Sequence, residues 1–315
     1  MVVLVFKTPQ TRYNTPTMFT VVLFYKYTAI DDPEVLKKEQ MGLCRSLNLT
    51  GRGIIAREGI NATFEGKTED IEKYIHHMQK DPRFNDVHFK KSEGTGHAFP
   101  KLSIKVRDEI VSLHLGERDI DPHCVTGKYI TPEKLHDWFI QKKEFYIIDM
   151  RNAYEHKSGH FEGSILPDLH NFRDLPKELP KLSHLKSKTI LTVCTGGVRC
   201  EKASGFLVEN GFCDVYQLKG GIVSYMEKYP NEHFKGKLYV FDQRLVMGFH
   251  TYDPQHEIVG RCEACGGPSE HYINCKNTDC HRHFICCENC CDKNGQATCP
   301  EKCTISKSGN LVTSY

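Results

Sequence analysis

The sequence carries no excess of charge of either sign and no long apolar run, and each absence removes a class of function. With 42 Lys and Arg against 40 Asp and Glu, the formal net charge is +2. Bulk attraction to nucleic acid or to an anionic membrane is therefore excluded as an organising feature, and a nucleic-acid partner would have to be met by local patches. The longest apolar stretches, Met1 to Phe6 and Thr20 to Phe24, fall far short of the roughly 20 residues that cross a bilayer. The start has no basic region followed by a long apolar stretch, so no signal peptide is read and a cytoplasmic chain is expected. There is no flavin or nicotinamide fingerprint, no 2-His-1-carboxylate arrangement assignable from spacing, no internal repeat and no low-complexity tract.

Cysteine, by contrast, is plentiful and unevenly placed. Of 15 cysteines, ten lie between Cys262 and Cys303. The other two-thirds of the chain reads as an intracellular enzyme poor in cysteine, which makes metal ligation a better account of the cluster than disulfides.

The length of 315 residues suits two or three domains. Phe19 to Tyr25 is β-branched and aromatic, a strand. Asp31-Asp32-Pro33-Glu34 opens a helix, and Thr68-Glu69-Asp70 opens another to about Gln79. Gly51 to Arg57 and Ile60 to Phe64 pair through a turn at Glu58-Gly59, and Val87 to Lys90 is a further strand. The order βαββαβ predicts a ferredoxin-like α+β sandwich over 19–117, with a strand-rich tail from Leu102 to Leu115. Residues 1–18 form an extension and 117–130 a linker. From Thr131-Pro132-Glu133, a helix start, the pattern changes: Phe145 to Asp149 and Thr189 to Val193 are apolar without alternation, as strands covered on both faces are. Glu201 to Asn210 is a helix closed by Gly211, and Val215 to Leu218 a third strand. Strands alternating with helices predict a parallel-sheet α/β domain over 118–234. Leu238 to Phe241 is a last strand, inside a cysteine-rich segment, 235–315.

Cys194 stands at the carboxyl end of a parallel strand, where open α/β sheets place their sites. Thr195, Gly196, Gly197 and Val198 follow, and the two glycines let the backbone curl its N–H groups inward into an anion cup. The helix behind adds its positive end, and Arg199 a full charge. All three lower a thiol pKa, and the thiolate is the reactive form. Cys200 at the loop exit is a candidate second thiol or simply a small helix residue. Cys44, Cys124 and Cys213 have no such context and read as packing residues.

Ile148-Asp149-Met150-Arg151, Gly159-His160-Phe161-Glu162-Gly163-Ser164, the Cys194 loop and Leu218-Lys219-Gly220-Gly221 together resemble the rhodanese superfamily. The resemblance implies an α/β domain whose loop cysteine carries a persulfide, with Asp149, Arg151 and His160 holding the fold. It narrows when Ala56-Arg57-Glu58-Gly59-Ile60-Asn61-Ala62-Thr63, Gly96-His97-Ala98-Phe99-Pro100, Arg151-Asn152-Ala153-Tyr154-Glu155, Cys194 to Lys202 and Val240-Phe241-Asp242-Gln243-Arg244 are included. From about Phe19 to Cys303 the chain resembles the rhodanese-like tRNA uridine(34) hydroxylases. What this implies is a ferredoxin-like domain, a rhodanese domain and a cysteine-rich tail; oxygen as co-substrate; and hydroxylation of the wobble uridine in a tRNA anticodon loop to 5-hydroxyuridine through Cys194. A sulfurtransferase carrying a persulfide on Cys194 is the rival enzyme, and a zinc-stabilised RNA-binding or adaptor protein the rival outside enzymes. The electron donor, the tRNA species and the oligomeric state are not legible.

In the tail, Cys262, Cys265, Cys275, Cys280, Cys287, Cys290, Cys299 and Cys303 have spacings that let thiolates face a tetrahedral Zn²⁺, enough for two ions. Pairing is open, Cys286 and Cys291 allow a shift of register by one, and His281 and His283 compete. The basic clusters Lys90-Lys91, Lys181 to Lys188 and Lys235 to Lys237 read as solvated faces rather than phosphate contacts. Arg52 and Arg57 flank the hairpin and could join an RNA surface. Trp138 reads as core, and Phe99 and Phe172 as packing residues that could otherwise stack a base.

Overall fold

A computed structural model describes residues 18–277, 279–280, 282–300 and 303. The expected extension lies outside the described residues apart from Met18, and so does His281.

The first unit runs β1 (Phe19–Tyr27), α1 (Pro33–Ser46), β2 (Thr50–Ala56), β3 (Gly59–Lys67), α2 (Thr68–Gln79), β4 (Lys90–Glu93) and β5 (Leu102–Val106). The strand order is β4-β1-β3-β2-β5, antiparallel except for β5, which lies parallel to β2. Asp32 caps α1 by accepting from the N–H groups of Glu34 and Val35, and Pro33 occupies the first turn, where its missing N–H costs nothing. The two-residue side-chain period of a strand gives β1 two working faces. Val22 and Phe24 point into the core against Tyr74 and Phe64 of α2 and β3. Leu23 and Tyr25 point the other way, toward the second unit.

That second unit adds β6 (Lys128–Ile130), α3 (Pro132–Ile140), β7 (Tyr146–Asp149), β8 (Gly159–Phe161), α4 (Leu175–Leu182), β9 (Thr189–Val193), α5 (Val198–Glu209), β10 (Asp214–Leu218) and α6 (Gly221–Lys228). Its parallel sheet has the order β6-β10-β9-β7. α4 and α5 cover one face through Leu175, Leu182 and Phe206, and α3 and α6 the other through Leu135, Trp138 and Ile222. Burial on both faces is why β7 and β9 are apolar throughout. Arg151, fully buried, fixes the end of β7 by a bidentate pair with Asp149 and a 2.7 Å bond to the Gly159 carbonyl.

Beyond β11 (Phe234–Gly236), which pairs with β8, come β12 (Leu238–Tyr239), β13 (Val246–Met247), and the hairpin of β14 (Tyr272–Asn274) and β15 (His283–Ile285). The core of this last part is small: Ile273 and Phe284 among cysteines.

Several expectations shift. Phe84 to Val87 close a turn, so the strand expected at Val87 to Lys90 begins only at Lys90. The tail from Leu102 is strand only to Val106, and the strand at Leu238 stops at Tyr239. The linker supplies β6 at its end. The helix after the Cys194 loop starts at Val198, three residues before the expected Glu201, because Gly197 at φ +105 turns the chain directly into it. The hairpin turn proper is Arg57-Glu58, with Gly59 already paired to Ala56. Cys44 and Trp138 are core, but Cys124 and Cys213 are exposed, not packed.

Three of the contacts that bind the units stand out. Lys202 of α5, fully buried, donates to Glu109 at 2.8 Å and Asp119 at 2.7 Å and pairs with Glu58 at 2.9 Å. Tyr25 of β1 donates to Glu201 of α5 at 2.8 Å. Arg244, paired with Asp242, donates to Ser92 and to the Glu93 carbonyl on β4.

Candidate active site

Cys194 directly follows β9, fully buried, and its sulfur accepts the Gly197 N–H at 3.2 Å. The loop is packed too tightly for side chains: a Cβ at Gly196 would stand 2.8 Å from Leu23, and one at Gly197 would stand 2.9 Å from the Tyr25 hydroxyl. From the other side, α6 donates the N–H of Ile222 to the Cys194 carbonyl and of Val223 to that of Thr195. Gly220 and Gly221 allow this approach; a Cβ at Gly221 would lie 2.6 Å from the Thr195 carbonyl.

Burial pushes the Cys194 thiol up, but a hydrogen bond from the Cys200 thiol, the charge of Arg199 and the N–H groups of Cys200 and Gly197 outweigh it, leaving the pKa at about 6. Cys200 is correspondingly driven well above the ordinary thiol range, by its burial and by its neighbour's charge. Arg199 is not the free charge the loop sequence suggested. It forms a double ion pair with the buried carboxylate of Glu155, with Nη2 2.9 Å from Oε2, and Nη2 also reaches Thr195 Oγ1 at 3.3 Å. Glu155 in turn accepts the Asn152 N–H at 2.8 Å. The arginine therefore braces the turn after β7 against the loop while still favouring the thiolate.

A cavity of about 300 Å³ opens over Cys194. All three parts of the chain line it: Tyr25 and Lys90 from the first sheet, Asn152 and Val198 from the second unit, Phe241 and Arg244 from the strap before β13. Lys90 overturns the reading of its cluster as a solvated face. It is 7% exposed, because β4 pairs it with Leu23 of β1 and so carries it to the Cys194 loop. Its nitrogen lies 5.0 Å from the centre of the Tyr25 ring. Lys91 does face solvent and pairs with Glu72. Phe172 lines the cavity edge and Phe99 is buried beneath Arg52.

Three family models match: a UPF0176 acylphosphatase-like domain over 19–110, a rhodanese-like domain over 131–228 and a rhodanese C-terminal model over 235–304. Proteins named tRNA uridine(34) hydroxylase from Bacillus cereus AH187 and Bacillus anthracis CDC 684 are each 42% identical over 300 residues, covering 94% of this chain and 92% of theirs. The chain belongs to the tRNA uridine(34) hydroxylase family. Among solved structures, a rhodanese-like domain protein from Staphylococcus aureus is 28% identical, covers 31% of this chain and 90% of its own, and has a TM-score of 0.28.

The tail of this family member sorts its cysteines into two groups. Cys262, Cys265, Cys287 and Cys290 converge, and so do Cys275, Cys280, Cys299 and Cys303, each set with its sulfurs within 4.8 Å of one another. Neighbouring sulfurs stand 3.5 to 3.7 Å apart, close to the roughly 3.8 Å edge of a tetrahedron with 2.3 Å metal–sulfur bonds. Both groups could hold a metal ion. The pairing is cross-braced, first and third pairs in one site, second and fourth in the other, which spacing alone left open. Cys286 and Cys291 belong to neither group, and the His283 ring is engaged by the Tyr239 hydroxyl.

The fold also assembles His136, Glu232 and His233, a trio invisible in the spacing. It sits beyond the C-terminal end of α6, whereas the N-terminal end of that helix touches Cys194. Of the other cavity residues, Asn152 and Phe241 lay inside strings that carried the family resemblance, Lys90 stood out only as part of a basic cluster, and Tyr25 gave no signal, because only the strand pairing brings the last two to the loop.

Proposed function

We propose that the chain hydroxylates C5 of the wobble uridine in a tRNA anticodon loop, an oxidoreductase reaction with molecular oxygen as co-substrate and Cys194 as its reactive group. The carrying observation is the low-pKa sulfur of Cys194 facing a cavity of about 300 Å³, room for a single base. A wobble base in a single-stranded loop can be splayed out of its stack into such a cavity. Phe241, 41% exposed at the edge and lying over the Arg199 guanidinium at 5.9 Å, offers a face for it. Uracil C5 is a weak nucleophile. Addition of the Cys194 thiolate at C6 turns C5 into an enolate carbon able to meet an oxygen species. The two four-cysteine groups take zinc in a structural role, since all eight ligands are protein thiolates and no position is left open.

The test is nucleoside mass spectrometry of bulk tRNA from cells lacking this protein and any second route to the modification, complemented with wild type or Cys194→Ala. Return of 5-hydroxyuridine with wild type alone is the expected result. Return with neither sinks the reading. Sulfur transfer through a Cys194 persulfide, favoured by the match to the rhodanese-like domain, would then lead, and a thiosulfate sulfurtransferase assay would test it.

A further inference from the structure

We infer that Lys90 is a second catalytic group of this cavity, an ammonium placed to meet O4 of the uracil ring when the Cys194 adduct puts negative charge there. The inference rests on the reading of the cavity as a uridine site and goes beyond it in naming the group that makes addition at C6 feasible.

Two buried lysines make the contrast. Lys202 is buried against three carboxylates. Lys90 is buried too, yet among the described residues it forms no ion pair; its contact is the face of Tyr25. An ammonium taken out of water without a partner is costly, and here burial lowers its pKa to about 8, with only the Cys194 and Glu201 charges opposing. A fold that buries Lys90 in the cavity wall without a counter-ion leaves it facing a charge that comes and goes. Addition at C6 creates such a charge. The sulfur lone pair forms the S–C6 bond, the C5=C6 pair moves into C4–C5, and the C4=O4 pair moves onto O4. The Lys90 N–H donates to that oxygen, so no oxidant or reductant enters the step. Collapse of the enolate reverses it, and a proton taken up and lost at C5 in between exchanges with solvent.

Asn152 supplies the complementary half. Its Nδ2 donates to the Tyr154 hydroxyl at 2.9 Å, while its Oδ1, buried at the same cavity, has no partner among the described residues. An acceptor and a cation lining one cavity suit uracil, whose N3–H donor neighbours O4. Cytosine presents the reverse order, an acceptor at N3 and a donor at C4.

The experiment uses the full chain, without oxygen, in D₂O, with tRNA bearing uridine 34, and reads deuterium at C5 by mass spectrometry. Wild type is expected to exchange, Cys194→Ser not to. Lys90→Met should slow exchange at least about a hundredfold, as loss of one oxyanion donor does, while tRNA affinity and the thermal unfolding midpoint stay near wild type; Lys90→Arg, which keeps the charge, should recover part of the rate. Wild-type exchange by Lys90→Met overturns the inference. So does a wild-type protein that makes 5-hydroxyuridine in air but never exchanges. A protein that does neither overturns the uridine reading, and the inference with it.

Discussion

Taking a thiol out of water disfavours its anion, and for Cys194 that effect is overcome by one thiol, two N–H groups and one guanidinium. The balance can be measured directly. The thiolate absorbance near 240 nm, taken as wild type minus Cys194→Ala, should titrate with a midpoint at about 6, so the anion dominates above that pH and is lost as pH falls through it. Cys200→Ala removes the thiol donor to Cys194 and should move the midpoint upward; an unmoved midpoint would mean that Cys200 does not donate. Glu155 enters through Arg199, whose own proton it helps to hold. The loop sequence announced the anion cup, since glycines, a helix start and an arginine are legible as types. The carboxylate that partners the arginine was not legible as a partner, because 44 residues separate Glu155 from Arg199 and only the fold makes them neighbours.

At the level of elements, the site exists because β1 has no solvent face. Val22 and Phe24 fill the sandwich core, and between and beside them Leu23 presses on Gly196 and Tyr25 on Gly197 of the Cys194 loop. Gly196→Ala should therefore cost about 1–3 kcal/mol by overpacking. Combined with Leu23→Ala, the loss should be smaller than the sum of the two by at least about 0.5 kcal/mol, the signature of residues in contact. Additive losses in denaturant unfolding would refute the contact. The βαββαβ order, the parallel sheet and the helix starts at Pro33 and Pro132 were all readable, because capping residues and turn glycines act locally. The second face of β1 was not readable. Phe19 to Tyr27 is apolar on both sides, and an apolar run does not say which of its faces meets which neighbour.

Across the whole molecule, the cysteine-rich end is wired to the cavity. Tyr272 donates to the Tyr154 carbonyl, Tyr239 packs edge-on against both Tyr154 and Tyr272 at 5.3 Å, and Glu263 pairs with Lys157 at 3.0 Å and with Arg282 at 2.8 Å. These contacts hold the turn 152–157, which carries Asn152 to the cavity and Glu155 to Arg199. Cross-bracing makes the two four-cysteine groups interdependent, since the chain passes from one to the other three times between Cys262 and Cys303, and a metal site built from thiolates folds with its metal. Cys265→Ser should therefore lower the metal content, measured by elemental mass spectrometry, from two zinc ions per chain toward none rather than to one. With the brace on the turn loosened, the Cys194 absorbance midpoint should rise, because Arg199 loses its fixed position. The first sandwich should keep its secondary structure by circular dichroism, since its core draws on no cysteine beyond Cys44. A variant that keeps one tightly bound ion and an unchanged midpoint would show that the two groups are independent and that the tail does not support the active cavity.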